Sequence, residues 1–338
     1  MIDIAWVYEF ASQWFEQIIS LVTQGSKRVF VAYLVSALVI ACAWLVWRRG
    51  LGIGVAIRHL FDPTLWWSKS SSADYQLLVV NQAVMLVLKP LILSKLALAT
   101  VLFYGLNDLF IRPLWSSSSL GGLSASTIAV FFTLTLFVVD DASRYYLHRL
   151  MHRWPVLWAF HRVHHTAQTL TPFTVLRTHP IEGLLFGLRS AVVQGTLIAI
   201  FVFLFANKVS LITVLGANVF TAIFNGLGAN LRHSHVSICY GSRLESWLIS
   251  PAQHQLHHSV EQHHWDCNYG AFIALWDRMG NTLVKASSEQ QLIYGVPNVG
   301  PQEHTLSHLY WQPFVSVWRS FRHRIQIKTR IETHESND

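Results

Sequence analysis

His148-Arg-Leu-Met-His152 and His161-Arg-Val-His164-His165 follow the charge-free run Pro113 to Val139, and His254-Gln-Leu-His257-His258 repeats the second spacing further along. Helical residues i, i+3 and i+4 share a face, so each stretch predicts a patch of imidazoles aimed in one direction. With His233-Ser-His235 and the isolated His179, eleven of the 18 histidines fall between His148 and His258. Neutral imidazole is a good ligand for divalent iron, zinc, copper and nickel. A single ion rarely takes more than about six ligands, and the three patches alone offer more than that, so the number favours two metals. His263 and His264 stay open as candidates, whereas His59, His304, His308, His323 and His334 are read as ordinary hydrogen-bonding residues.

Working outward, the chain has 338 residues, 52% of them hydrophobic and only 13% charged, well below the ~25% charge of soluble domains. The runs Val29 to Trp47, Pro113 to Val139 and Val209 to Leu231 are each near or above the ~18 residues that suggest a spanning helix. Another begins near Ile181 and continues to Asn207 if Arg189 is accepted. Gln76 to Asn107 is interrupted by Lys89, Pro90 and Lys95, and reads as a kinked span or two shorter pieces. The fold expected is an all-α polytopic membrane bundle of about four to five spans. From Arg232 onward the chain turns polar and aromatic and is expected to form a helical cap bearing the histidine site. Residues 1–125 would hold an interfacial helix and spans, 126–282 the catalytic domain and 283–338 a cytoplasmic tail that frays from about Lys328.

Lys and Arg collect between Trp47 and Asp74, between Arg144 and Arg177, and beyond Leu231, while Asn107 to Ser124 offers only Arg112; the serine-rich Ser116–Ser126 reads as a short loop. If Gln76 to Asn107 crosses once, the positive-inside rule puts all histidine clusters on the cytoplasmic face. The net charge of +7 then reflects topology and anionic lipid, with no nucleic-acid motif to compete. Cys42, Cys239 and Cys267 lie far apart and form no Cys-x-x-Cys pattern, so they are expected to be packing residues. No removable signal peptide is expected at the N-terminus. Trp6, Phe10, Trp14, Ile18 and Val22 recur at helical spacing, as in an interfacial or packing helix. Nothing in the sequence fixes an oligomeric state.

Zinc proteolysis is disfavoured, because a His-Glu-x-x-His site needs glutamate where Arg149 stands. Carboxylate-rich four-helix di-iron centres are disfavoured by the scarcity of acids near the clusters. Asp141, two helical turns before His148, is placed to accept the second ring N–H of a ligand histidine. Glu182, three residues after His179, is placed to do the same or to bind metal directly. Trp154, Trp158, Phe160 and Phe173 are candidate walls for a lipid tunnel or interface anchors.

Together, Asp141-Ala-Ser-Arg-Tyr145-Tyr-Leu-His148-Arg-Leu-Met-His152, His161-Arg-Val-His164-His165, Arg177-Thr-His179-Pro-Ile-Glu182, His233-Ser-His235, Ser250-Pro251-Ala-Gln-His254-Gln-Leu-His257-His258-Ser259, Asn268-Tyr269-Gly270 and Trp276-Asp277-Arg278 resemble the fatty acid hydroxylase and sterol desaturase superfamily of membrane di-iron enzymes. The likeness covers about Val130 to Thr282. It departs at Met279-Gly280-Asn281-Thr282, where Phe-Gly-Thr is usual, and at His235, where asparagine is usual. The resemblance implies that all eleven histidines surround two iron ions, with Asp141, Tyr145 and Glu182 as functional neighbours. It also implies O2-dependent hydroxylation or desaturation of a lipid C–H bond, in an acyl chain, ether lipid, sterol or lipid head group. Electrons would come from a separate reductase, cytochrome or ferredoxin, since no His-Pro-Gly-Gly haem motif occurs. The alternative from a different class is a histidine-rich metal-binding or metal-transport membrane protein. Its ligands would be expected near the bilayer midplane, not at helix ends.

Overall fold

The computed structural model describes residues 4–88, 90, 94–110, 122–214, 217–287, 292–298 and 300–335. Arg112 and most of Ser116–Ser126 lie outside them. The N-terminal third is helical: α1 (Ile4–Thr23), α2 (Val31–Arg49), α3 (Ile53–Leu60), α4 (Pro63–Trp66), α5 (Lys69–Leu88) and α6 (Lys95–Leu109). Then come α7 (Ala125–Arg153), α8 (Pro155–His165), α9 (Pro180–Phe205), α10 (Val219–Gly226), α11 (Pro251–His257), α12 (Leu275–Met279) and α13 (Leu306–Glu335). The only paired strands among the described residues are Thr213–Val214 and Ala217–Asn218, so the bundle is all-α, as the sequence led one to expect.

Three of these helices, α2, α7 and α9, are long and apolar enough to cross a bilayer, which makes this an integral membrane protein. The run Val209 to Leu231 does not form a spanning helix. Its turn formers break it: Asn218 caps α10 by accepting from the Phe220 amide at 3.0 Å, and Gly228 takes a left-handed φ of +87°. Gln76 to Asn107 divides into α5 and α6, the second starting at the Ser94 cap. The tail beyond Lys328 continues α13 as far as Glu335.

α7 and α9 run antiparallel, and their contacts form a ladder. Phe132 meets Phe201 with ring centroids 4.9 Å apart, and Ile128 clusters with Phe205. Nearer the histidines, Asp140 pairs with Arg189 at 3.0 Å. α6 lies so close to α9 that a Cβ on Gly195 would stand 2.8 Å from the Lys95 carbonyl oxygen. α1 rests on α5, where Trp14 donates its indole N–H to the Val79 carbonyl at 2.8 Å. The expected amphipathic helix is thus present and packs against the bundle.

Candidate metal centre

The histidine stretches form short helices because their flanks cap them. α8 opens on Pro155 and α11 on Pro251, each at a first-turn position where the missing N–H costs nothing. Ser250 and Gln253 make a reciprocal capping box at the start of α11. His148 and His152 come from the end of α7, one turn apart.

Nine histidines gather into two groups whose candidate ligand atoms lie within 4.8 Å of one another: His148, His152, His161, His165 and His257 in the first, His164, His233, His254 and His258 in the second. Each His-x-x-His-His stretch serves both. The first gives its i and i+4 residues, His161 and His165, to the five-histidine group and His164 to the other. The second gives His254 and His258 to the four-histidine group and His257 to the first.

The hydrogen bonds fix which ring nitrogens face inward. His148 donates Nδ1–H to the Tyr269 carbonyl at 2.8 Å, and His257 donates Nδ1–H to the Cys267 carbonyl at 2.7 Å. A neutral ring with hydrogen on Nδ1 has only a lone pair on Nε2. The Nε2 atoms of these two rings nevertheless face each other at 3.0 Å, so two lone pairs point into one space. A cation between them removes the conflict. Two nitrogens at imidazole–metal distances of about 2.1 Å and at right angles are separated by about 3.0 Å. The other inward contacts match: His161 to His165 at 3.2 Å, and His233 to His164, His258 and His254 at 3.2, 3.2 and 3.0 Å.

A proton is a poor candidate for that cation. Burial pushes the His161 imidazole down to about 3 and that of His164 to about 4. It also drives His165, His233, His254, His257 and His258 well below the ordinary histidine range, and neighbouring imidazoles add to the shift. Neutral imidazoles are the form that binds metal. The residues therefore fit a pair of nitrogen-ligated transition-metal ions.

Residues 133–282 match the family described as fatty acid hydroxylase. That stretch holds all nine clustered histidines, and over it the chain is similar to the fatty acid hydroxylase and sterol desaturase superfamily. Similar curated proteins include a very-long-chain aldehyde decarbonylase of Oryza sativa, 30% identical over 59% of this chain and 30% of that protein. Alkylglycerol monooxygenase of Danio rerio is 26% identical over 55% of this chain and 37% of its own length. Human lathosterol oxidase is 28% identical over 49% and 47%. The chain thus spans less than half the length of these relatives. No solved structure matches it.

Four residues that the superfamily resemblance placed around the metals lie elsewhere. His179 caps α9, its Nδ1 accepting from the Ile181 amide at 3.1 Å while Nε2 donates to the Tyr310 carbonyl at 3.2 Å, so neither nitrogen is free for a metal. His235 turns away from His233 and donates Nε2–H to the His59 carbonyl at 3.0 Å. Asp141 touches no histidine; its carboxylate accepts from the Phe272 and Ile273 amides at 3.0 Å and from the Trp276 indole at 2.9 Å. Tyr145 hydrogen-bonds Thr282 and Arg149 at 3.3 and 3.0 Å. Both fasten the 268–282 segment to α7.

Glu182 does what Asp141 was expected to do. One carboxylate oxygen accepts from His161 Nδ1 at 2.9 Å, with both side chains buried. Three further holders stand inside motifs already noted but were given no role. The Arg177 carbonyl accepts from His164 Nδ1 at 3.2 Å. Gln255 donates to the carbonyls of Leu231, Ser234 and Val236 at 3.0 to 3.1 Å, which fixes the turn carrying His233. Asp277 accepts from the Tyr269 and Gly270 amides at 2.9 and 2.7 Å, which turns the Tyr269 carbonyl toward His148. A buried polar residue between two ligand histidines was the available sign for Gln255.

A cavity of about 330 Å³ reaches the five-histidine group, where His152, His165 and His257 form its floor and Trp158 and Trp265 part of its wall. The Trp158 ring lies tilted against His152, centroids 4.9 Å apart. Of the other candidate tunnel walls, Phe160 packs on His179, Phe173 lines a separate apolar cavity beside α2, and Trp154 is largely exposed.

Proposed function

We propose that the chain is an oxidoreductase that hydroxylates or desaturates a C–H bond of a lipid, using two iron ions, O2 and electrons from a separate reductase, cytochrome or ferredoxin. The observation that carries this reading is the opposed pair of lone pairs on His148 and His257, together with the gathering of nine histidines into two adjacent groups, which supports two cations. The names of the relatives, which include a monooxygenase and an oxidase, support this reaction class. Iron held by the nine histidines would supply O2 activation and the oxidising power needed to break the C–H bond.

The chain's own residues bind, orient and screen. Glu182 and the carbonyls of Tyr269, Cys267 and Arg177 hold four imidazoles with Nε2 inward, which raises their basicity and fixes their tautomer. The cavity between Trp158 and Trp265 admits the reacting end of the substrate to the five-histidine group. Basic residues near the histidine end support a cytoplasmic face for the centre and would favour an acidic electron donor. Asp141 and Tyr145 serve by anchoring the 268–282 segment, not by touching substrate.

Lipids extracted from cells with and without the chain under 18O2 test the reading. A lipid gaining one labelled oxygen, or losing two hydrogens, only when the chain is present is the expected result. Purified protein that carries no stoichiometric iron, together with an unchanged lipid profile, would overturn it.

A further inference from the structure

The base of the cap lies alongside α7 at Asp141, just past the end of the helix's apolar run. Asp141 stands two turns before His148, about 10 Å further toward the apolar end of the helix, and it holds Phe272, Ile273 and Trp276 at that depth. The chain at 247–249 pairs with this segment: the Ala274 amide donates to the Trp247 carbonyl at 2.8 Å and the Ile249 amide to the Phe272 carbonyl at 3.0 Å. Residues around Trp247 and α12 therefore sit where the apolar run of α7 gives way to its polar end, the level of lipid head groups.

The outer face of this layer has a mixed character. Trp247 is 58% exposed and Met279 66%, with Leu244 and Leu248 also exposed. Beside them Arg243, Arg278 and Lys285 line an open cavity of about 610 Å³ together with Ser246, Trp247 and Leu283. The Arg278 guanidinium lies 5.4 Å from the Trp247 ring centre, and Lys285 Nζ donates to the Ser242 hydroxyl at 2.7 Å. Among the described residues, no carboxylate lines the cavity. Glu245 nearby is buried and spends one oxygen on the Tyr240 amide and Ser250 hydroxyl and the other on the Ala286 amide.

We propose that this cavity binds the phosphate of an anionic lipid head group, with Trp247 and its apolar neighbours seated in the interface. Three cations around one concave space suit a phosphate, and Arg278 stacked on an indole is held ready for it. An amphipathic ring at head-group level is the usual place for tryptophan in membrane proteins. Depth favours lipid over a soluble acidic protein, because the segment bearing Arg278 is anchored at Asp141, two turns nearer the apolar run of α7 than His148.

The test uses the full chain in nanodiscs of phosphatidylcholine with or without phosphatidylglycerol. Native mass spectrometry should show retained phosphatidylglycerol on the wild type, and Arg243→Gln, Arg278→Gln and Lys285→Gln should each lower that preference about fivefold. Trp247→Phe supplies a second measurement: the emission it removes should be quenched by lipid bearing a doxyl group near the head group. The proposal fails if the triple variant keeps its lipid preference, or if inorganic phosphate competes as well as the lipid. It also fails if the Trp247 emission is quenched by acrylamide and not by doxyl lipid, the outcome that would leave the patch to an aqueous protein partner.

Discussion

Arg177 grips His164 through its backbone while its side chain ties three other segments together. Its carbonyl accepts His164 Nδ1–H at 3.2 Å, and its guanidinium donates to the Val163 and Ser70 carbonyls, the Thr166 hydroxyl, Asp74 and His304. Asp74 and Arg177 are both fully buried. Arg177→Met leaves Asp74 as an uncompensated buried charge and should cost about 3–5 kcal/mol. Arg177→Lys with Asp74 intact should keep the fold and weaken metal retention mainly in the four-histidine group. Metal analysis after chelator dialysis would show this; equal loss from both groups would contradict the assignment.

Glu182 offers a sharper separation. Replacing it with alanine removes the acceptor for His161 Nδ1–H, and an outer-sphere partner of this kind is worth about 10–100-fold in metal affinity. Glu182→Gln keeps an acceptor oxygen in place and should recover much of that loss. If the two variants hold metal equally well, the carboxylate does not set the orientation of His161.

Ligand and non-ligand histidines should part company in the same assay. His148→Ala and His257→Ala remove one side of an opposed lone-pair contact and should abolish stoichiometric metal binding by the five-histidine group. His235→Ala should leave metal content unchanged. His179→Ala loses the cap of α9 and should lower stability by about 1 kcal/mol with metal retained. Loss of metal on changing His235 would place it back in the centre.

The number of histidines pointed to two metals, but their spacing did not say which histidine joins which group. Adjacent residues on a helix diverge by about 100°, so His164 and His165 could not serve one ion, nor His257 and His258; only the packing of α7, α8 and α11 shows which neighbour each faces. Glu182 was recognisable from its place after His179, whereas Asp141 misled because helical phase says which way a side chain points and not what meets it. The backbone carbonyls of Cys267 and Tyr269 left no trace in residue type. Val209 to Leu231 read as a span because hydropathy is blind to Asn218, Gly226 and Gly228, whose turn chemistry prevailed.

Acid should weaken the metal-free protein in a definite window. Burial holds His161 at about 3 and His164 and His304 at about 4. His304 must stay neutral to accept from Arg177 at 3.0 Å. In the unfolded chain histidines titrate near 6.5, so below that pH the unfolded state binds protons that the folded state refuses. Stability is therefore complete above about pH 6.5 and falls as pH drops toward 4, by on the order of 1 kcal/mol per pH unit for each such group. Denaturation curves of chelated protein at pH 7, 6 and 5 would reveal the trend. Identical curves at pH 7 and 5 would mean that these imidazoles are not held neutral.

The turn at Met279-Gly280-Asn281-Thr282 departs from the sequence usual in the superfamily, yet its glycine answers a local demand. Gly280 has no unusual φ; what it needs is space, since a Cβ there would stand 1.9 Å from the Tyr145 hydroxyl and 2.6 Å from Arg149 Nη1. Arg149 also donates to the Gly280 carbonyl at 3.2 Å. Gly280→Ala must push Tyr145 out of its buried place against Thr282, and overpacking of this kind costs about 1–3 kcal/mol. The displaced segment runs through Asp277 to Tyr269, whose carbonyl orients His148, so metal affinity of the five-histidine group should fall along with stability. Tyr145→Phe removes the hydroxyl that the new methyl would strike. Combined with Gly280→Ala it should recover part of both losses, and a double variant no better than Gly280→Ala in thermal denaturation and metal retention would show that the clash with Tyr145 is not the cause.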